Sequence, residues 1–234
     1  MIIHSPFNFY VKEDINMRCI MTSCNNIDKD YAFDKISKYI DEDMTIVCVP
    51  FASELHWQLN GNFKNYKDQH FRVFEKFGIK RKNISIAKLS EGREKIIEKI
   101  ESADIVFFSG GFMENFMFIV KVLRLEFFMK DYLNDKLIIG ESAGTLVMLD
   151  SYAEVPFIED DYRHYKRKDG LGYVDNLDIM VHYIKDNKYH KKNKALLEVV
   201  NIATGKDVVC LTDNSLIIVD GDEVEFVGDY VKRQ

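Results

Sequence analysis

The chain has 234 residues, 47% of them hydrophobic and 13% aromatic, enough for a substantial core in one large α/β domain or two small ones. A net charge of −6, with 32 basic residues mixed among 38 acidic ones, argues against nucleic acid or an anionic membrane as the main partner. No apolar run approaches the ~20 residues of a membrane helix, and the opening MIIHSPFNFYVKED lacks the basic start, apolar core and cleavage site of a signal peptide. The four cysteines (Cys19, Cys24, Cys48, Cys210) form no C-x-x-C pair, and Cys48 and Cys210 lie inside apolar runs, as buried free thiols do. The expectation is a reduced, cytoplasmic, soluble protein.

In chain order, residues 1–16 read as an irregular lead-in, with a short strand pair at Ile2–Ile3 and Phe9–Val11. Arg18–Thr22 is the first core strand, and Asn25, Asn26 and Asp28 supply turn and cap chemistry before a helix over Lys29–Ile40. Met44–Pro50 is a continuous apolar run of the kind buried on both faces of a parallel sheet. A polar, aromatic loop over Phe51–Asn62 leads to a helix at Tyr66–Phe77, closed by Gly78. Asn83–Lys88 is a strand, Arg93–Ile100 a helix, and Asp104–Phe108 a third apolar strand ending at Ser109-Gly110-Gly111. Met113–Leu133 reads as one long, mostly apolar helix that could pack the core or bury a homodimer interface. The alternation predicts a parallel sheet with helices on both faces.

The chemistry concentrates in KLIIGESAGTLVMLD, Lys136–Asp150. An apolar strand turns through Gly140-Glu141-Ser142-Ala143-Gly144 and continues over Thr145–Leu149 as a helix. Strand, G-x-S-x-G, helix is the context of a nucleophilic serine: the sharp turn exposes the hydroxyl, and the flanking glycines remove Cβ atoms that would collide. A tight turn with a capping serine has the same pattern, so the rest of the chain must decide. Beyond it, Glu154–Asp169 is charged and has no clean period. Leu177–Val181 is a short strand, Asn187–Ala203 a helix stopped by Gly205, and Asp207–Leu211 another core strand. Ser215–Val219 and Glu223–Val227 form a hairpin through Asp220-Gly221-Asp222. No linker or repeat interrupts the chain, so a single domain over 1–234 is the simplest count.

A serine hydroxyl needs a base, and the base a third group to hold it. Of the six histidines, His182 directly follows an apolar strand, which places it at the carboxyl edge of the sheet with Ser142. His164 lies in a charged stretch and reads as surface; His56, beside Trp57, could face a substrate. The pair Gly110-Gly111 can bring the backbone close to a substrate and present N–H groups to an oxyanion, or simply make a turn.

Three blocks carry a resemblance. IVFFSGGFMENF, IIGESAGTLVML and GLGYVDNLDIMVHY are similar, in order, to the Gly-Gly strand end, the nucleophile block and the histidine segment of peptidase family S51, the dipeptidase E and cyanophycinase group. The tail VVCLTDNSLIIVDGDEVEFVG resembles that family's closing strand and hairpin. The resemblance implies a three-layer α/β sandwich with a mostly parallel central sheet, flavodoxin-like and related to class I glutamine amidotransferases. It implies Ser142 as nucleophile, His182 as general base, and the N–H groups of Gly111 and Ala143 as oxyanion hole. It also places Gly110 and Phe112 against the substrate. For the acid it points to Glu154, two residues before Pro156, with Glu159, Asp160 and Asp161 as substitutes. Phe112-Met113 after Gly-Gly departs from the family's usual residues and puts a preference for N-terminal aspartate in question; Arg163, Lys166 and Arg167 would be the cationic partners of such a side chain.

The function expected is a serine exopeptidase or dipeptidase acting on short peptides through an acyl-enzyme, with neither cofactor nor metal. An α/β-hydrolase-type esterase or amidase is the alternative. Only 40 residues separate Ser142 from His182, and no His-Gly-Gly segment lies upstream, which weighs against it. A third reading is an inactive member of the same fold that binds a small molecule or partner.

Overall fold

The computed structural model describes residues 17–54, 63–154, 166–175, 177–183 and 205–233. The strand pair expected in the lead-in, the helix expected over Asn187–Ala203, His56 and His164 all lie outside them. Five parallel strands form the centre: β1 (Arg18–Thr22), β2 (Ile46–Val49), β3 (Ile84–Ile86), β4 (Ile105–Phe108) and β5 (Leu137–Glu141). Their order is β1-β5-β4-β2-β3. Every residue of β2 and β4 is buried, which is why both read as unbroken apolar runs. Helices cover both faces: α1 (Asp30–Ile36), α2 (Phe63–Glu75), α3 (Arg93–Glu101), α4 (Met113–Val122), α5 (Glu126–Tyr132) and the short α6 (Ala143–Leu146). Two apolar cores result. One holds Val47, Val106 and Ile138 with α3, α4 and α5; the other holds Ile46, Phe107 and Ile139 with α1 and α2. This is the α/β sandwich expected.

The remaining strands are β6 (Ser151–Glu154), β7 (Lys166–Asp169), β8 (Leu177–Met180), β9 (Asp207–Asp220) and β10 (Glu223–Arg233). β6 and β7 form a separate antiparallel ribbon. β9 pairs antiparallel with β1 through Leu216–Asp220, antiparallel with β10, and parallel with β8 through Asp207–Cys210. The two strands read over Asp207–Leu211 and Ser215–Val219 are therefore one. Thr212-Asp213-Asn214 is not a break between strands but the point where β9 passes beyond Thr22, the last residue of β1.

The expected helix over Met113–Leu133 divides. α4 ends at Val122, Arg124 takes a positive φ of 52°, and the Leu125 N–H bonds the Val120 carbonyl at 2.8 Å. Leu125 is completely buried, and Arg93 Nε donates to the Leu123 carbonyl at 2.8 Å, so the break both buries an apolar side chain and satisfies a helix-end acceptor. Phe118, Val122, Phe127 and Tyr132 stay exposed. Among the described residues, no helix is long and apolar enough to cross a membrane.

Candidate active site

β5 delivers Ser142 through a turn that requires glycine at positions 140 and 144. Ser142 sits at φ 50°, ψ −112°, a backbone region that costs a non-glycine residue of order 1–3 kcal/mol and persists only where the surroundings enforce it. They do. A Cβ on Gly144 would lie 2.0 Å from the Phe108 carbonyl oxygen, and one on Gly140 2.6 Å from Met148 Sδ, so the serine strand, its turn and β4 close on one another only with glycine at both places. The Ser142 N–H donates to the Thr22 carbonyl at 2.9 Å. The Thr145 hydroxyl accepts from the Thr22 N–H at 2.9 Å and lies 2.8 Å from the Thr22 and Gly140 carbonyls, locking the turn to β1. The helix after the serine is one turn long, Ala143–Leu146, shorter than the Thr145–Leu149 pattern suggested, so little macrodipole stands behind the site.

His182 arrives from an unexpected direction. β8 runs parallel to β9 and hence antiparallel to the central strands, so it descends toward the sheet's carboxyl edge from beyond it. The edge was anticipated; the approach was not. At its end the Tyr183 N–H takes the Leu211 carbonyl at 2.9 Å, and His182 turns inward at φ 56°. Its Nε2 lies 2.9 Å from Ser142 Oγ, and its Nδ1 lies 2.9 Å from Asp213 Oδ1. Serine, imidazole and carboxylate form one chain of hydrogen bonds. The carboxylate behind the imidazole is thus Asp213, not the Glu154 expected. Glu154 pairs through its backbone with Lys166 in the β6–β7 ribbon, its side chain is outside the described residues, and so are Glu159, Asp160 and Asp161.

The loop after β1 holds this chain from below. Ser23 Oγ donates to Asp213 Oδ1 at 3.0 Å and accepts the His182 N–H at 2.6 Å. Asn26 Nδ2 donates to the Asp213 carbonyl at 2.8 Å. Burial pushes the Asp213 carboxyl up, but hydrogen bonds from Cys24, His182 and Ser23 outweigh it and hold the group below the usual carboxylate range. It therefore stays charged, the state that orients an imidazole and stabilises its protonated form.

Beside the serine, the Gly110 N–H donates to Glu141 Oε2 at 3.3 Å. Burial raises the Glu141 carboxyl despite that bond and one from the Asn25 N–H. His70 Nδ1 is 3.6 Å from Glu141, but burial lowers the imidazole to about 4, so the neutral ring accepts from Asn25 Nδ2 at 3.3 Å and no ion pair forms at neutral pH. Gly111 has φ 141°, and a Cβ there would lie 2.4 Å from the Ala52 carbonyl oxygen, so the position admits glycine alone. Phe112 follows, 66% exposed, and its N–H is taken by the same Ala52 carbonyl at 2.9 Å. Ala143, first in its helix, has no carbonyl one turn back to take its N–H. Of the cations considered for an acidic substrate side chain, Arg167 already bonds Ser151 and Asp178; Arg163 and the Lys166 side chain lie outside the described residues.

Comparison with known proteins agrees with this architecture. The model of peptidase family S51 matches residues 19–227. The chain belongs to peptidase family S51. It is therefore a peptidase, a hydrolase of peptide bonds. Its fold is similar to that of a proposed peptidase E of Listeria monocytogenes EGD-e, with a TM-score of 0.66 and 16% identity over 91% of this chain and 98% of the other. It is equally similar to a peptidase from an acI-B1 Actinobacterium, at a TM-score of 0.66 and 13% identity over 94% of this S51 chain and 95% of that one. No curated relative matches it significantly.

Three functional candidates were invisible to motif reading: Ser23, Cys24 and Asp213. A signal for Asp213 does exist. The polar triplet Thr212-Asp213-Asn214 interrupts an otherwise apolar run, which is what a strand crossing from the core to a solvent-facing edge produces.

Proposed function

We propose that this S51 member is a cytoplasmic serine exopeptidase that releases residues from short peptides through an acyl-enzyme. The observation that carries the reading is the unbroken contact from Ser142 through His182 to Asp213, at 2.9 Å on each side of the ring. Asp213 accepts from Nδ1–H, which leaves Nε2 as the acceptor facing the serine. As Ser142 Oγ attacks the scissile carbonyl, His182 takes its proton at Nε2. The tetrahedral oxyanion then meets the N–H groups of Gly111 and Ala143. Collapse expels the amine, protonated by His182, and leaves an ester on Ser142; water, deprotonated by the same nitrogen, hydrolyses it. No step calls for a metal or cofactor.

Gly110 sets the approach of the substrate backbone, and the exposed Phe112 ring, one residue past Gly111, offers an apolar surface to a substrate side chain. With Arg167 already engaged, apolar residues suit this surface better than aspartate. The partner in this reading is a short peptide; the net charge of −6 argues against nucleic acid or an anionic membrane, and a homodimer is compatible with the exposed Phe118, Val122 and Phe127. The test is a panel of dipeptides and tripeptides, apolar-X and Asp-X, with released amino acids quantified for wild type and Ser142→Ala. Hydrolysis of apolar-X peptides that disappears in Ser142→Ala is expected. Hydrolysis that persists in the variant would refute the serine route.

A further inference from the structure

We propose that Cys24, His182 and Asp213 form a binding site for a thiophilic divalent cation, zinc above all, whose occupancy switches the peptidase off. The inference rests on the proposed role of His182 for its consequence, though not for the site itself. Cys24 Sγ, His182 Nδ1 and an Asp213 carboxylate oxygen all lie within 4.8 Å of one another. Zinc bonds of ~2.3 Å to sulfur and ~2.0–2.1 Å to nitrogen or oxygen set tetrahedral ligand separations of ~3.3–3.6 Å. The separations found, 3.8 Å from Cys24 Sγ to Nδ1 and 2.9 Å from Nδ1 to Asp213 Oδ1, bracket that range. With the third pair, Cys24 Sγ and the Asp213 oxygen, within 4.8 Å, side-chain movement of at most about 1 Å would admit the ion.

Composition and access favour the same conclusion. Thiolate, imidazole and carboxylate are the donor types zinc takes. Cys24 is partly exposed, whereas Cys19, Cys48 and Cys210 are buried, so it is the thiol an ion can reach. Burial above all, then the hydrogen bond and negative charge of Asp213 and the charge of Glu141, push the Cys24 thiol up to about 12. The negative neighbours, rather than the burial, favour a dication here: thiolate and carboxylate together neutralise it.

The consequence follows from the tautomer. In the catalytic arrangement Nδ1 carries the proton and Nε2 accepts. An ion on Nδ1 takes that lone pair, the ring proton moves to Nε2, and the Cys24 thiol proton leaves to solvent. Nε2–H then points at Ser142 Oγ as a donor and can accept nothing, so the base is lost with its geometry intact.

Cobalt(II), added to the reduced, untagged full chain, tests the site by the thiolate-to-metal absorption band in the near ultraviolet. The band should appear in wild type, vanish in Cys24→Ser and weaken strongly in Asp213→Asn. Zinc should slow phosphonate labelling of Ser142, reversibly by chelation. Cys24→Ser should raise the zinc concentration for half-inhibition, relative to its own metal-free rate, by more than the ~10–100-fold that loss of an outer-shell partner costs. No band in wild type, or one retained in Cys24→Ser, overturns the site whatever the activity. A band without slowed labelling overturns the inhibitory role. Absent labelling before any metal is added would instead count against the peptidase mechanism.

Discussion

At the scale of single residues, the account turns on which acid stands behind His182. Replacing Asp213 by asparagine keeps the shape but removes the charge that stabilises the imidazolium, and its amide N–H can donate to Nδ1 and hold the unproductive tautomer with Nε2–H. The expected cost is ~10⁴-fold in kcat, with Glu154→Gln within about twofold of wild type. Steady-state kinetics of the two variants decide between them; the opposite pattern would restore Glu154. Ser23→Ala removes a donor to Asp213 and an acceptor for the His182 N–H. One such hydrogen bond is worth ~1 kcal/mol, so kcat should fall roughly fivefold to tenfold with KM little changed. An unchanged kcat would mean that the imidazole is held without it. Ser142 and His182 were legible because their signals are local: a glycine-flanked turn and a histidine at a strand end. Asp213 was harder to single out: its polar triplet reads equally well as a break between two strands, and only the pairing of β9, which overshoots β1, makes it a site residue.

At the scale of elements, the divided helix shows where periodicity misleads. The stretch from Met113 to Leu133 is mostly apolar, and no glycine or proline marks the break at Arg124. The break is set by a distant partner, Arg93, whose guanidinium takes the Leu123 carbonyl. Arg93→Ala should destabilise the protein by ~1–2 kcal/mol, lowering Tm by ~2–4 °C for each kcal/mol. Arg93→Lys should recover part of the loss, since a lysine ammonium can reach the carbonyl. Calorimetry on the two variants checks this, and wild-type Tm in Arg93→Ala would show that water caps the carbonyl equally well. The parallel strands, by contrast, were read within one or two residues of their bounds, because burial on both faces leaves an unbroken apolar run.

At the scale of the whole molecule, the sheet separates two apolar cores, and one of them reaches the active site through His70. That imidazole is buried among Tyr66, Phe107 and the Asn25 side chain, and burial lowers it to about 4 from 6.5. Between those values the unfolded chain binds the proton and the folded one does not, so stability is full above pH 6.5 and falls as pH drops toward 4. The loss amounts to about 3 kcal/mol over that window. Urea unfolding across pH 4–7 should show the decline in wild type and a shallower one in His70→Gln. Parallel curves would mean that the ring titrates normally in the fold. The family-level architecture was legible from three blocks in order. The junction of β8, β9 and the loop after β1 that assembles the site was not.

The central claim is that Ser142 is a nucleophile activated by His182 and Asp213. Reaction with a fluorophosphonate, followed by peptide mapping of the modified residue, tests it most directly. The account predicts stoichiometric modification of Ser142 in wild type, none in His182→Ala, and labelling slowed by orders of magnitude in Asp213→Asn. Modification elsewhere, or labelling of Ser142 at the wild-type rate in Asp213→Asn, would contradict it.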